Sequence, residues 1–285
     1  MKKNFETEIR SRSLSFENAG VKICCNRNLQ PPAKLEWFAE NGESLWNSLD
    51  IESFAALIPE IHRSMGLRKN ETASLATVEH LAPIFLLYPQ IHFQVFAQSQ
   101  ELPILDGSAY PWYETVRKIA GLPQEVLFYD APIREHFEWN GGWMDVSPAE
   151  TLEIEYSISH GNYANDAYAA IYDAEDLVKL FPARTFIFEE DFLRAKECGL
   201  LSAVDENCGM LLREKNGALE ILSGGKFRMP SEPVMHKMLD LIGDLSLPAP
   251  ILPRLRIRIH NGGHFAHRQL LERLLNAFRN SSQID

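Results

Sequence analysis

Apolar and polar positions in the first 123 residues alternate with the period of strands in some segments and repeat with helical spacing in others. Gly121 follows one helical segment and can end it, since glycine is common just beyond helix C-termini. Thr77 precedes another segment and can cap a helix that begins near Glu79. Strands are predicted at 35–38 and 91–96, and helices at 51–64, 79–87 and 110–121.

The remainder of the chain has the same mixed pattern. Asn216-Gly217 lies between two short apolar runs, an arrangement typical of a tight hairpin turn. Strands and helices do not alternate in regular β-α-β order, so the pattern favours the α+β class over a doubly wound sheet. Two domains are predicted, at 1–123 and 124–285. Strands are predicted at 125–129, 134–139, 152–158, 210–212, 219–222 and 255–259, and helices at 174–180, 233–245 and 266–278.

Composition restricts the classes of function. A hydrophobic fraction of 45% and a charged fraction of 24% over 285 residues suit a globular protein with an ordinary core. The net charge of −11 argues against nucleic-acid binding, which needs basic surface. The longest apolar stretch, 81–89, is shorter than the roughly 20 residues that span a bilayer. The polar start of the chain and four cysteines without zinc-knuckle spacing lead us to expect a cytoplasmic protein with reduced thiols.

His236 and Asp240 lie four residues apart in a predicted helix, which puts their side chains on one face. A neutral imidazole and a carboxylate in this arrangement can bind one metal ion from a rigid element. Asp244 lies one further turn along the same face. Taken alone, such a pair more often caps or bridges helices, and a catalytic zinc site usually takes three protein ligands. A third ligand must therefore come from elsewhere in the chain.

Glu79-His80 can supply both the third ligand and a base. With His236 and Asp240, His80 would complete a set of two nitrogens and one oxygen, which suits Zn²⁺. Glu79 cannot easily bind an ion that its neighbour holds, but it can reach a water beside that ion, which is the place of a general base. Glu79-His80 alone is more often a helix-start acid beside a buried histidine, so the hypothesis depends on the combination.

His264 would add an acid to this set. It follows Gly262-Gly263, which lets the backbone approach closely and leaves the ring exposed. Asp244 could hold that ring protonated, so that it stabilises an oxyanion or protonates a leaving amine. A glycine-histidine pair alone is most often part of a loop, but with the other motifs it completes a hydrolytic zinc site.

Five motifs also carry a family resemblance: TVEHL at 77–81, ILDGSA at 104–109, ARTF at 183–186, HKMLDLIGD at 236–244 and GGHFAH at 262–267. In this order they resemble the UDP-3-O-acyl-N-acetylglucosamine deacetylases, zinc enzymes of the committed step of lipid A synthesis, over about residues 64–275. The resemblance implies two similar α+β domains with outer sheets, helices sandwiched between them and the active site at their interface.

The resemblance further implies a Zn²⁺ cofactor and a small acylated amino sugar as substrate. Net charge and the short apolar stretches lead us to expect no nucleic-acid partner and no transmembrane segment. A transient contact with a membrane surface stays open, as does the oligomeric state. The implied site residues are His80, His236 and Asp240 as zinc ligands, Glu79 as base, His264 as acid, Asp244 as the residue that orients His264, Thr185 at the oxyanion, Lys237 lining the site and Phe186 beside the substrate.

The nucleotide side of the substrate site departs from the family's pattern. Where the family has an acid and an aromatic ring that hold the uridine, this chain has Ser157 and Ile158. Two basic positions on the diphosphate side correspond to Asn261 and Ser147. A glycine-rich segment that shapes the acyl tunnel has lost glycines at 199–205. The candidate zinc ligands and the base are unchanged, so these differences on the nucleotide side indicate an altered substrate.

The five motifs lead us to expect, as the default, a zinc-dependent deacetylase that hydrolyses the N-acetyl amide of UDP-3-O-acyl-N-acetylglucosamine. Two alternatives stay open. The first is a divergent paralogue that deacetylates another N-acylated amino sugar or amide, with weak or no recognition of UDP. The second is a zinc-binding relative without catalytic activity; such a protein would be expected to lose a ligand or the base, whereas this chain keeps all of them.

Overall fold

A computed structural model describes residues 4–26, 34–48 and 64–281. The strands in these ranges are β1 Asn4–Ser11, β2 Ala19–Asn26, β3 Leu35–Phe38, β4 Ser44–Asn47, β5 Gly66–Arg68, β6 Ser74–Ala76, β7 His92–Ala97, β8 Phe128–Asp130, β9 Glu135–Trp139, β10 Gly142–Pro148, β11 Leu152–His160, β12 Tyr163–Ile171, β13 Phe186–Phe188, β14 Met210–Lys215, β15 Ala218–Ser223 and β16 Leu252–His260. The helices are α1 Ala82–Phe85, α2 Tyr110–Ala120, α3 Ala174–Leu180, α4 Glu189–Glu197, α5 Glu232–Ser246 and α6 His264–Ser281.

The first sheet has five strands in the order β1-β2-β7-β3-β4. Neighbouring strands are antiparallel except β3 and β7, which are parallel. Alternate side chains of β7 are buried, as the two-residue period of a strand requires. On the buried face, Trp37 and Phe93 pack against Phe85, with ring centroids 5.8 and 4.8 Å apart. These contacts anchor the short, fully buried helix α1 to this sheet.

The second sheet has six strands, in the order β12-β11-β16-β10-β9 with β8 beside the start of β16. Strands β11 and β16 lie side by side in parallel although many residues separate them along the chain. Tyr156 is buried on the inner face of β11. On the outer face, Glu153 and Glu155 form ion pairs with Arg256 and Arg258 of β16. The alternation of apolar and charged residues therefore sets which face of the sheet meets the core.

Helix α5 is a long and largely buried helix. All its residues except Met235 and Lys237 are buried, in keeping with its apolar sequence. It contacts β11, β12 and β16 of the second sheet, and also α1, which packs on the first sheet. Residues from the two halves of the chain therefore meet along this helix. A third sheet, β13-β14-β15, and the pair β5-β6 complete the fold.

The predicted α+β class is confirmed, because separate, largely antiparallel sheets are combined with a few helices. Strand β3 and helix α3 have the predicted bounds. Strand β12 was not predicted, because its small and polar residues hide the alternation. The predicted helix at 51–64 lies outside the described residues except for Ser64. The division into domains at residues 123 and 124 stays a prediction.

The predicted helix from Glu79 is wrong in its start. Helix α1 begins at Ala82 and has Leu81 at its N-cap position without a side-chain hydrogen bond. It ends after a single turn, at Phe85. None of the helices in the described ranges is long and apolar enough to cross a membrane.

Candidate metal centre and active site

Helix α5 and the turn that carries Glu79-His80 meet at a glycine. A Cβ atom at Gly243 would overlap the backbone carbonyl group of Glu79. Because glycine lacks that atom, the helix lies directly against the turn. His236 and Asp240 precede Gly243 on the same side of the helix, and this approach brings their side chains to His80.

Glu79-His80 follows a strained residue rather than a helix cap. Thr77 has a φ of 60°, in the left-handed region that β-branched residues rarely adopt. Its N–H donates to the carbonyl oxygen of Met65 at 2.8 Å, and its Oγ1 donates to Glu101 Oε1 at 3.2 Å. These bonds hold Thr77 in place, and the predicted capping role is wrong. Strain of this kind is common beside functional groups.

His80, His236 and Asp240 form a buried group whose candidate ligand atoms all lie within 4.8 Å of one another. Asp240 Oδ1 is 3.1 Å from His236 Nε2 and 3.5 Å from His80 Nε2. A tetrahedral ion with bonds of about 2.0 Å separates its ligand atoms by about 3.3 Å. The spacing of these atoms therefore suits an ion of that size.

His236 is oriented by the backbone of Ala183. Its Nδ1 lies 3.1 Å from the Ala183 carbonyl oxygen, which can only accept, so Nδ1 carries the proton. Burial lowers the pKa of His236 and so favours the neutral ring with this single proton. Its Nε2 then presents a lone pair to Asp240 Oδ1, and neither buried atom has a hydrogen-bond partner in the described part of the chain. Two facing acceptors repel unless a cation lies between them, so these residues fit a metal ion.

Asp240 is held as a carboxylate. Burial opposes its ionisation, but the neighbouring Lys237 ammonium helps to hold the pKa of Asp240 well below its usual range. Lys237 Nζ donates to Asp240 Oδ2 at 2.9 Å. Oδ1 is thereby left to face the two histidines.

Glu79 is a second buried carboxylate beside the metal group, with 3% of its surface exposed. Burial raises the pKa of Glu79 to about 7, although the nearby His264 and His80 act against burial. Its Oε2 accepts the N–H of Met65 at 3.2 Å, and its Oε1 lies 3.8 Å from His264 Nε2. A carboxyl group with a pKa near neutrality is suited to take up and release a proton during catalysis.

His264 approaches the same space from the first residue of α6. Its Nε2 faces Glu79 and lies 3.9 Å from Asp240 Oδ2, and its Nδ1 lies 2.8 Å from Asp244 Oδ2. The side chain is 9% exposed, so the predicted exposure is wrong, because α6 begins at this residue and directs the ring inward. Burial lowers the pKa of His264, which opposes the predicted protonated ring. The carboxylates of Glu79 and Asp240 act against burial.

Thr185 is fixed against two glycines. Its N–H donates to the carbonyl oxygen of Gly107 at 2.6 Å, and its own carbonyl oxygen accepts from Met210 at 2.9 Å. Cβ atoms at Gly107 and Gly209 would each come within 2.8 Å of Thr185 Cγ2, and both glycines have positive φ. Only glycine suits these two positions, and the Thr185 side chain is held at the wall of the cavity described below.

A buried ion pair joins Arg184, the residue before Thr185, to helix α5. Arg184 and Glu232 are 5% and 0% exposed. Arg184 Nε donates to Glu232 Oε1 at 2.7 Å, and Nη2 donates to Oε2 at 3.0 Å. Two such parallel bonds fix direction as well as distance. Because Glu232 begins α5, the pair sets the position of Thr185 relative to the metal group.

A cavity of about 420 Å³ opens beside the metal group, within the usual size range of ligand pockets. Seven of the nine predicted site residues line it, whereas His236 and Asp244 lie behind its wall. The Lys237 ammonium lies 5.7 Å from the centre of the Phe186 ring. The polar end is formed by Glu79, His80, Thr185, Lys237, Asp240 and His264. The apolar lining includes Leu14, Ile104, Phe186, Ile187, Phe188, Phe192, Leu201, Val204, Met210 and Leu211.

The four positions that depart from the family's pattern on the nucleotide side do not line this cavity. Ile158 is buried in the core, and Ser157 faces His260, with its Oγ 2.9 Å from Nδ1. The Asn261 amide donates to the Gly141 carbonyl and to Ser159 Oγ, so it ties neighbouring turns together. Ser147 lies on the outer face of the second sheet. Among the described lining residues, the only lysine or arginine is Lys237.

Two buried residues of the site were missed by sequence reasoning. His267 Nδ1 lies 2.7 Å from Asp244 Oδ2, and its Nε2 lies 3.3 Å from the Tyr156 hydroxyl. The available signal was the spacing of His267, three residues after His264 on a predicted helix. Tyr156 gave no such signal, because its place in the alternating pattern is that of an ordinary core-facing residue of a strand.

Comparison with known proteins identifies the family of this chain. The family model for UDP-3-O-acyl N-acetylglycosamine deacetylase (LpxC) matches residues 38–276. A protein of Thermosynechococcus vestitus is 33% identical over 70% of this chain and 68% of its own length. Proteins of Synechocystis sp. and Aquifex aeolicus are 27% and 28% identical, over 73% and 70% of this chain and 75% and 69% of their own lengths. All three are named UDP-3-O-acyl-N-acetylglucosamine deacetylase. The chain therefore belongs to the UDP-3-O-acyl N-acetylglycosamine deacetylase family.

Proposed function

We propose that this chain is a zinc-dependent deacetylase that releases acetate from the N-acetyl group of UDP-3-O-acyl-N-acetylglucosamine, a reaction of lipid A synthesis. The observation that carries the proposal is the buried group of His80, His236 and Asp240, with Glu79 and His264 facing it at one end of an apolar cavity. Membership of the family and the names of the relatives support this substrate.

The side chains of the site suit amide hydrolysis. A zinc ion held by His80, His236 and Asp240 would polarise the amide carbonyl and make a water molecule more acidic. Glu79 Oε1 takes a proton from the water that adds to the carbonyl carbon. His264 Nε2, when protonated, donates its proton to the amine nitrogen as the C–N bond breaks. The products are acetate and the free amine.

Thr185 and Lys237 act on the charge that develops during this reaction. Both line the polar end of the cavity, where the carbonyl oxygen of a bound amide gains negative charge. The Thr185 backbone is held on both sides, so its side chain needs little reorganisation. Lys237 already neutralises Asp240 and brings a positive charge to the same end.

The apolar part of the cavity supports an acylated substrate. Phe186, Phe188 and Phe192 line it together with aliphatic residues from both halves of the chain, such as Ile104 of the first half and Leu211 of the second. Burial of a methylene group contributes roughly 0.8 kcal/mol, so an acyl chain of several carbons can dominate affinity. The proposal includes a transient contact with a membrane surface, because an acylated substrate can be drawn from a membrane. It also includes a cytoplasmic location.

A divergent substrate is the second candidate. Ser157, Asn261 and Ser147 do not line the cavity, and Lys237 is the single lysine or arginine among the described residues that line it. A diphosphate normally binds to several charged or backbone donors, and bonds to a charged group are the strong ones. These observations favour a deacetylase in which the acyl chain contributes more to affinity than UDP does.

Acetate release from three substrates tests the proposal. The substrates are UDP-3-O-acyl-N-acetylglucosamine, the same sugar without UDP, and a series with shortened acyl chains. We expect turnover of the full substrate, a change in KM below about tenfold without UDP, and a rise in KM of about fourfold for each carbon removed. Calorimetric titration with UDP alone should show binding weaker than micromolar.

The outcomes separate the two candidates. Micromolar binding of UDP and loss of turnover without it would contradict the predicted weak recognition and leave the nucleotide substrate as the single candidate. Turnover only of the sugar without UDP would establish the divergent paralogue. No acetate from any of these substrates, with zinc bound at one equivalent, would contradict the proposed function.

A further inference from the structure

Asp244 is the common partner of two histidine rings. Its Oδ2 lies 2.8 Å from His264 Nδ1 and 2.7 Å from His267 Nδ1. Its Oδ1 is buried and has no hydrogen-bond partner among the residues that the structure describes. Asp244 itself is fully buried. The direction in which its carboxylate points is therefore set by these two rings together.

The proton positions around His267 are fixed by its surroundings. Burial lowers the pKa of His267 and raises that of Tyr156 well above its usual range, so the ring is neutral and the phenol keeps its proton. A neutral imidazole has one N–H and one acceptor nitrogen. The Tyr156 hydroxyl, 3.3 Å from Nε2, donates to His267, and His267 Nδ1–H donates to Asp244.

Three elements converge on this network, which is held by close packing. Tyr156 belongs to β11, Asp244 to α5, and the two histidines to the first turn of α6. The His267 N–H donates to the carbonyl oxygen of Gly263 at 3.0 Å, which closes that turn. A Cβ atom at Gly262 would lie 2.8 Å from the Tyr156 hydroxyl oxygen and would overlap Ile259. The turn into α6 is thus fitted directly against Tyr156.

We propose that His267 is a positioning residue of the deacetylase site, which acts through Asp244 to hold the His264 ring in its working orientation. This inference rests on the proposed function. His267 does not line the cavity, so it acts without touching the substrate. Tyr156 supports it in turn by fixing the ring nitrogen that bears the proton.

Loss of the His267 donor leaves Asp244 with His264 as its single described partner. The buried carboxylate can then turn, and His264 follows it away from the space between Glu79 and Asp240. Removal of groups that orient a catalytic site from behind typically costs about 10–100-fold in activity. Because substrate contacts are unchanged, the loss falls on kcat, whereas KM should change by less than about twofold.

His267→Leu and His267→Asn test the inference, with acetate release as the assay on zinc-loaded protein. Leucine fills the space without a donor, and kcat should fall about 10–100-fold. Asparagine places an N–H near the position of Nδ1, and kcat should stay within about fivefold of the wild type. Leu270→Ala, a buried apolar change one turn later in α6, is the matched control for lost packing and should keep the wild-type kcat.

Each outcome bears on the inference separately from the proposed function. Full kcat in His267→Leu, or an equal loss in the asparagine and leucine variants, would overturn it. Inactive wild-type protein would instead contradict the proposed function. If His267→Leu does not fold, Tyr156→Phe replaces it: removal of one hydroxyl should lower kcat several-fold at unchanged KM, and an unchanged kcat would overturn the inference.

Discussion

Replacement of Glu79 with glutamine should lower kcat for acetate release by about 10²–10⁴-fold, the usual contribution of a general base. Glutamine keeps the size of the side chain and can still accept the Met65 N–H, but it cannot take up a proton. The group of His80, His236 and Asp240 is unchanged, so zinc should remain at about one ion per chain. Steady-state kinetics together with the zinc content of the same sample measure both effects.

Glu36→Gln is the matched control for this prediction. Glu36 is a largely buried glutamate of the first sheet, paired with Lys34 and His92. Its replacement removes a carboxylate that does not line the cavity, so kcat should stay within about twofold of the wild type. Normal turnover by Glu79→Gln would mean that another group takes the proton from water.

Replacement of His236 with alanine should remove zinc and, with it, almost all activity. The change deletes one of three ligands, and it leaves His80 and Asp240 on separate elements with an open gap between them. A catalytic zinc site rarely persists with two protein ligands. Metal analysis after dialysis should find far less than one zinc per chain.

His92→Ala is the control for the metal measurement. His92 is partly buried and pairs with Glu36 in the first sheet, away from the metal group. That variant should keep about one zinc per chain, as the wild type does. Full zinc occupancy in His236→Ala would remove His236 from the ligand set.

The local part of the site could be predicted from sequence because helix geometry fixes it. His236 and Asp240 lie on one face of any helix that contains them, and the structure brings their facing atoms to 3.1 Å. Their meeting with His80 depends on Gly243, whose contact is with the backbone of Glu79, many residues away. No local pattern contains that information, so the motifs had to be combined before they were informative.

Other features could not be predicted because tertiary packing decides them. Thr77 has a good capping sequence, yet bonds to Met65 and Glu101 hold it in a left-handed conformation. Tyr156 and His267 look like ordinary core positions, and their polar atoms become informative only once both are placed beside Asp244. Buried polar groups seek partners, but sequence does not say which partner they find.

Acetate release by the wild-type protein should be measured before chelation, after chelation and after zinc is returned. This experiment tests whether the buried group of His80, His236 and Asp240 holds the zinc on which amide hydrolysis depends. Release of acetate from UDP-3-O-acyl-N-acetylglucosamine should stop when zinc is removed and recover at about one zinc per chain. An unchanged rate in protein whose zinc content has fallen to zero would contradict it.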